Sequence, residues 1–257
     1  MGKGNLVNEL CYCGSGKKYK KCHKDKSNNQ EILSELIDQK KLFIKEKTGC
    51  EVVIIKSDNI HFDALIDFPN WHDKSRLPTI YHREKIDLVH VLHELIHLEN
   101  FFIDKYSIIG AELNMLSKIE HYKKVPEDYL VHKILKYKYN FNPIDRKFFL
   151  SGKCCEMKFS DVELAVNLVF CMSFIEFCPE RGTECEKFYM DCKRKRPESF
   201  VLAKRTLRVL NEVDYGSVDS YNSGVKRIIE IFSPGITNVK ACQLQKINNE
   251  VWKYIPM

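Results

Sequence analysis

The chain has 257 residues, 44% of them hydrophobic, and its 41 Lys and Arg against 35 Asp and Glu give a formal net charge of +6. That length and apolar share allow one sizeable core plus a small module and exclude a wholly disordered chain. No uncharged apolar run reaches the roughly 18 residues a membrane helix needs, and the basic excess is too mild to require a nucleic-acid partner. The opening residues, MGKGNLVNELCYC, lack the apolar run of a signal peptide, so the expected compartment is the cytoplasm. There, eleven cysteines point to metal ligands and buried thiols before disulfides.

The first module spans residues 7–26. Cys11, Cys13, Cys22 and His23 supply three thiolates and one imidazole at a spacing suited to a closed tetrahedral zinc site. Four protein ligands leave no open position, so such a zinc is structural, and its binding energy serves as folding energy for a segment too short to bury a core. Gly14 and Gly16 let the chain turn between the ligand pairs, and Lys17, Lys18, Lys20 and Lys21 surround Tyr19 as a small basic and aromatic surface. The string C-x-C-G-S-G-K-K-Y-K-K-C-H resembles the SEC-C motif, the zinc-binding tail of the SecA translocase motor, with Tyr12 where that motif usually has proline. The resemblance implies an interaction tag for a protein or ribosome partner.

Residues 27–30 fall in a polar stretch, KDKSNNQ, that reads as a linker. A helix is expected from Glu31 to Lys47, where Ile32, Leu33, Leu36, Ile37, Phe43 and Ile44 share a stripe and Gly49 marks a stop. Strand signals follow at 51–56, 61–67 and 79–82, with Thr79 to His82 nominated as the edge strand beside a substrate. His61, His72 and His82 have no partner spacing and read as surface or loop histidines.

The stretch Val89 to Asn100, VHVLHELIHLEN, sits in a helix expected from Arg83 to Ile103 that is apolar over most of its girth. It contains His-Glu-x-x-His. His93 and His97, four apart, can present two imidazole nitrogens to one zinc ion, and Glu94 can take the proton of a water that the zinc has made more acidic. His90 lies on the same face as a neighbour of the ligands or an ordinary core histidine. Leu98 to Asp104, LENFFID, lacks the nearby third histidine of the metzincins, so the third ligand must come from farther along.

A second helix is expected from Ile108 to Val125, antiparallel to the first. It carries Glu112, Glu120 and His121. A His-Glu-x-x-His followed by a glutamate on the next helix resembles the gluzincin peptidases, in which that glutamate completes a two-histidine, one-carboxylate zinc site. The resemblance implies Glu120 as third ligand, with Glu112 or His121 as alternatives.

Beyond Pro126 the pattern stays helical, broken near Asn140 to Pro143 and at Ser151-Gly152. Leu164 to Phe177 reads as a buried helix, and Cys171, Cys178, Cys185 and Cys192 as buried free thiols, with Cys154 and Cys155 unassigned. Lys193 to Arg196 with Lys204, Arg205 and Arg208 form a basic patch that reads as a solvated helix end.

These readings combine into an α+β chain: the SEC-C module at 7–26, a linker at 27–30, a zincin-like core at 31–150 with a small sheet before the metal helix, and a helical region at 151–257. The expected activity is zinc-dependent peptide hydrolysis on a peptide or protein substrate. Two zinc ions are expected, one catalytic and one structural, and no membrane partner. The rival reading is a non-catalytic adaptor that binds a ribosome, chaperone or nucleic acid through the SEC-C module.

Overall fold

The computed structural model describes residues 26–57, 59, 64–67, 78–83, 88–142, 158–179, 183–246 and 252–257. The expected SEC-C ligands Cys11, Cys13, Cys22 and His23 lie outside them, as do His61, His72, Cys154 and Cys155. The described chain is mainly helical with two three-stranded sheets, in keeping with the α+β expectation. It divides into two compact units, one formed by the chain up to Glu99 with 134–141, the other by 100–133 and 142–257.

In the first unit, helix α1 (Lys26–Thr48) begins within the stretch read as a linker, since no Pro or Gly at 26–30 prevents a helical backbone. Leu33, Ile37 and Ile44 form its buried stripe. It stops where Gly49 adopts φ 72°, a left-handed conformation open to glycine, and the Gly49 N–H donates to the Lys45 carbonyl at 2.8 Å. Strands β1 (Val53–Lys56), β2 (Ala64–Asp67) and β3 (Thr79–His82) follow at the expected places. Their order is β1-β3-β2, with Val53 opposite Thr79 in a parallel pair and Ala64 opposite His82 in an antiparallel one. The expected edge strand, Thr79–His82, is therefore the central one: both sides of its backbone are hydrogen-bonded, and Ile80 is fully buried.

Helix α2 (Val89–Leu98) is shorter than the expected 83–103, for Arg83 lies outside it and its end passes into a π-helical turn, Glu99–Ile103. It packs on α1, β2 and β3. Lys40 of α1 forms an ion pair with Glu99 at its end, and the Lys40 ammonium also lies 5.5 Å from the centre of the Tyr139 ring. Burial pushes the Tyr139 hydroxyl up to about 12.

In the second unit the expected helix over 108–125 is absent. Ile108–Ala111 is strand β4, followed by a 3-10 turn at Leu113–Met115, the short α3 (Leu116–Ile119) and then α4 (Val125–Tyr137), which ends in the first unit. β-branched Ile108 and Ile109 are drawn into a strand by a distant partner, β5 (Val239–Lys246), which also pairs with β6 (Trp252–Pro256). The antiparallel register sets Ile108 opposite Cys242 and Cys242 opposite Pro256.

The remaining helices are α5 (Asp161–Phe177), α6 (Thr183–Lys195), α7 (Pro197–Glu212) and α8 (Val218–Phe232). Helix α5 is buried as expected and starts with a capping box: the Glu163 N–H donates to Ser160 Oγ at 3.2 Å and the Ser160 N–H to Glu163 Oε2 at 2.7 Å. Arg196 and Ser199 both donate to Asp161 Oδ1, at 2.8 and 2.7 Å, fastening the start of α7 to that of α5. Cys171, Cys178 and Cys185 are buried free thiols, as expected, whereas Cys192 is disulfide-bonded. No described helix is long and apolar enough to cross a membrane.

Candidate metal centre

Helix α2 is built to hide its imidazoles. Val89, Val91, Leu92, Leu95, Ile96 and Leu98 are buried around it, and His93 and His97 are buried among them at 7% and 6% exposure. Residues four apart are about 40° apart around a helix, so the two rings lie one above the other. Their Nε2 atoms are 3.0 Å apart, with ring centroids 4.7 Å apart and planes crossed at 70°. Only His90 and Glu94 of this helix are half-buried. Both fall within the same arc of about 100° as the pair, so Glu94 sits at the partly solvent-accessible margin of the imidazoles.

His93, His97 and Asp128, all buried, can each offer one ligand atom, and the three atoms lie within 4.8 Å of one another. This group could bind a metal ion. Its donor chemistry fits zinc: two imidazoles and one carboxylate supply three ligands of the kinds zinc takes and would leave one position open. The nitrogen separation fits as well. Two nitrogens held about 2.0–2.1 Å from one tetrahedral ion stand roughly 3.3 Å apart, close to the 3.0 Å between the two Nε2 atoms. Without a metal, one of the two Nε2 atoms would donate to the other.

Glu120, the expected third ligand, occupies a different setting. It is the C-cap of α3 and 60% exposed, and the Lys123 ammonium donates to its Oε2 at 2.8 Å. That hydrogen bond holds its carboxyl below the usual range. Of the two alternatives, Glu112 is exposed and accepts from Asn238 Nδ2 at 3.1 Å, and His121 Nδ1 lies 3.5 Å from Glu163 Oε1. Glu120 and Glu112 lost the helical face expected of them because β4 replaces the first turns of the predicted helix.

Sequence reasoning passed over Asp128 because it stands in the first turn of α4 with Glu127, where acidic residues ordinarily complement the positive end of a helix. The missed signal is its burial pattern. Val125, Tyr129, Leu130, Val131 and Leu135 make α4 a core helix, and Asp128 and His132, one turn apart, are its buried polar residues. Asp128 also acts on Tyr221, whose hydroxyl is driven well above its ordinary range first by burial and then by Glu127, Tyr215, Tyr106 and Asp128. That hydroxyl stays protonated, a hydrogen-bond donor at any ordinary pH.

Comparison with known proteins bears on the other end of the chain. Residues 8–25 match the SEC-C motif. The match bears out the SEC-C reading of the N-terminal stretch and covers the four residues expected to hold structural zinc. No curated protein and no solved structure matches the chain.

Proposed function

We propose that this protein is a zinc-dependent peptidase of the cytoplasm, carried to its partners by the SEC-C module. The observation that supports it most is the group of His93, His97 and Asp128 with Glu94 beside it on the same helix. In this reading Asp128 takes the ligand role expected of Glu120. A zinc ion held there would supply Lewis acidity, polarising a peptide carbonyl and bringing the pKa of water to about 7.

The chain's own residues do the rest. Glu94 accepts the proton of the attacking water and returns it to the departing amine, a task suited to a carboxylate that is half-buried and still reached by solvent. The apolar girth of α2 keeps bulk water away from the far side of the imidazoles. Substrate alignment falls to β2, which packs on α2 and pairs on one side only, with β3, among the described residues. An extended peptide added along its other side gains main-chain hydrogen bonds with little demand on side-chain identity.

The experiment compares wild type with Glu94→Gln for zinc content and for hydrolysis of a panel of unfolded proteins. Retained zinc with hydrolysis reduced by about 10²–10⁴-fold in the variant is the expected outcome for loss of a general base. Equal hydrolysis by both proteins would overturn it.

A second reading rests on the SEC-C match: an adaptor that docks on a ribosome, chaperone or nucleic acid, with the second metal site structural. It predicts no hydrolysis by either protein and loss of partners when Cys11 and Cys13 are replaced by Ser.

A further inference from the structure

Three helices of the second unit enclose a groove of about 660 Å³ that plays no part in the metal site. Each contributes one stripe at helical spacing. Helix α7 presents Lys204, Leu207 and Arg208; α6 presents Glu186 and Met190; α5 presents Met172 and Ile175. The volume lies within the roughly 300–1,000 Å³ of small-ligand sites. Its lining includes aliphatic Ile175 and Leu207 and two methionines, Met172 and Met190, whose flexible thioethers adapt to differing apolar partners.

The charges are unusual for such a lining. Lys204 and Arg208 stand one helical turn apart on the same face, both exposed, and neither enters an ion pair among the described residues. Like charges at that spacing destabilise a helix, a repulsion that an anion between them removes. An arginine fork and a neighbouring ammonium match a carboxylate. Glu186 of α6, also exposed and outside any ion pair among the described residues, lines the same groove and can act as an acceptor.

We propose that this groove binds the free C-terminus of a polypeptide whose last residues are aliphatic. Arg208 and Lys204 hold the terminal carboxylate. Leu207, Met190, Met172 and Ile175 receive the aliphatic side chains, and Glu186 accepts a main-chain N–H close to the terminus. A fatty acid shares the carboxylate and the aliphatic body but has no N–H for Glu186, so the polypeptide is the better match. Binding here is independent of whether the metal site cleaves peptides.

The test is fluorescence anisotropy with the full chain, as wild type and as Glu94→Gln, and a labelled octapeptide ending in Leu-Val-Ile. The free acid is expected to bind both proteins alike, and its C-terminal amide to bind about tenfold more weakly or worse, a difference of about 1.4 kcal/mol. Lys204→Glu and Arg208→Glu are each expected to weaken the acid by at least about tenfold without lowering the thermal midpoint, since both side chains are exposed. Equal binding of acid and amide, no binding of either, or displacement of the peptide by dodecanoate at lower concentration than by unlabelled peptide would overturn the proposal.

Discussion

At the scale of single residues, Asp128 is the carboxylate proposed to join His93 and His97 as a metal ligand. Asp128→Asn keeps the shape of a buried side chain and removes its charge, so metal retention is expected to fall, by about 10-fold or more given that even residues outside the ligand set commonly cost 10–100-fold. Glu120→Gln, at a 60% exposed position bonded to Lys123, is expected to leave metal retention unchanged. Equilibrium dialysis against a zinc buffer measures both. The histidines were legible in the sequence because helical spacing and an apolar context single them out. Asp128 was not, because a carboxylate in the first turn of a helix is explained by the helix itself, and only tertiary burial distinguishes a ligand from a charge at a helix start.

Asp161 gives a second prediction at this scale. Hydrogen bonds from Ser199 and then Arg196 hold its carboxyl below the ordinary aspartate range. A depressed carboxylate contributes stability above its unfolded pKa, and that contribution is lost as pH falls through the lower folded value. Wild type is therefore expected to lose a component of stability in acid, below about pH 4, that Asp161→Asn lacks already at pH 7. Since Asp161 is 45% exposed, solvent screening limits the effect to about 1 kcal/mol or less. Thermal melts of both proteins from neutral to acid pH would show the two curves converging.

Elements carry the next level. Strands at 53–56, 64–67 and 79–82, the helix around His93 and His97, and the buried helix ending at Phe177 were all readable from local pattern. The order of the first sheet was not, since parallel pairing of β1 with β3 depends on a crossover that no local pattern encodes. Ile108 to Val125 was misread for a similar reason: its period fits a helix, but Ile108–Ala111 finds a strand partner in Val239–Cys242, far along the chain. Gly224 shows contact overriding propensity within α8. Alanine in a helix interior usually improves on glycine by about 0.5–1 kcal/mol. Here a Cβ would collide with the Val213 side chain, so Gly224→Ala is expected to destabilise by about 1–3 kcal/mol, as overpacking does. Urea denaturation measures the loss, and Val213→Ala in the same chain should recover part of it.

For the whole molecule, two kinds of zinc chemistry are proposed on one chain, and they separate by ligand set. Three thiolates and an imidazole at Cys11, Cys13, Cys22 and His23 leave no open position, whereas His93, His97 and Asp128 leave one. The basic end of α6 reads as solvated surface, and the groove lined by α5, α6 and α7 is proposed to take a polypeptide terminus as its anionic ligand. Under the proposed function, in which the module is a tag and the metal helix belongs to the body, replacing Cys11 and Cys13 by Ser is expected to abolish partner capture while leaving peptide hydrolysis intact. A pull-down paired with the hydrolysis assay checks both halves.

His93 and His97 are proposed to hold a metal ion distinct from a zinc ion at the SEC-C residues. Native mass spectrometry of the zinc-loaded protein tests this most directly. Wild type is expected to carry two zinc ions, the Cys11→Ser, Cys13→Ser protein one, and a His93→Ala, His97→Ala protein one. Two zinc ions retained by the His93→Ala, His97→Ala protein would contradict the account.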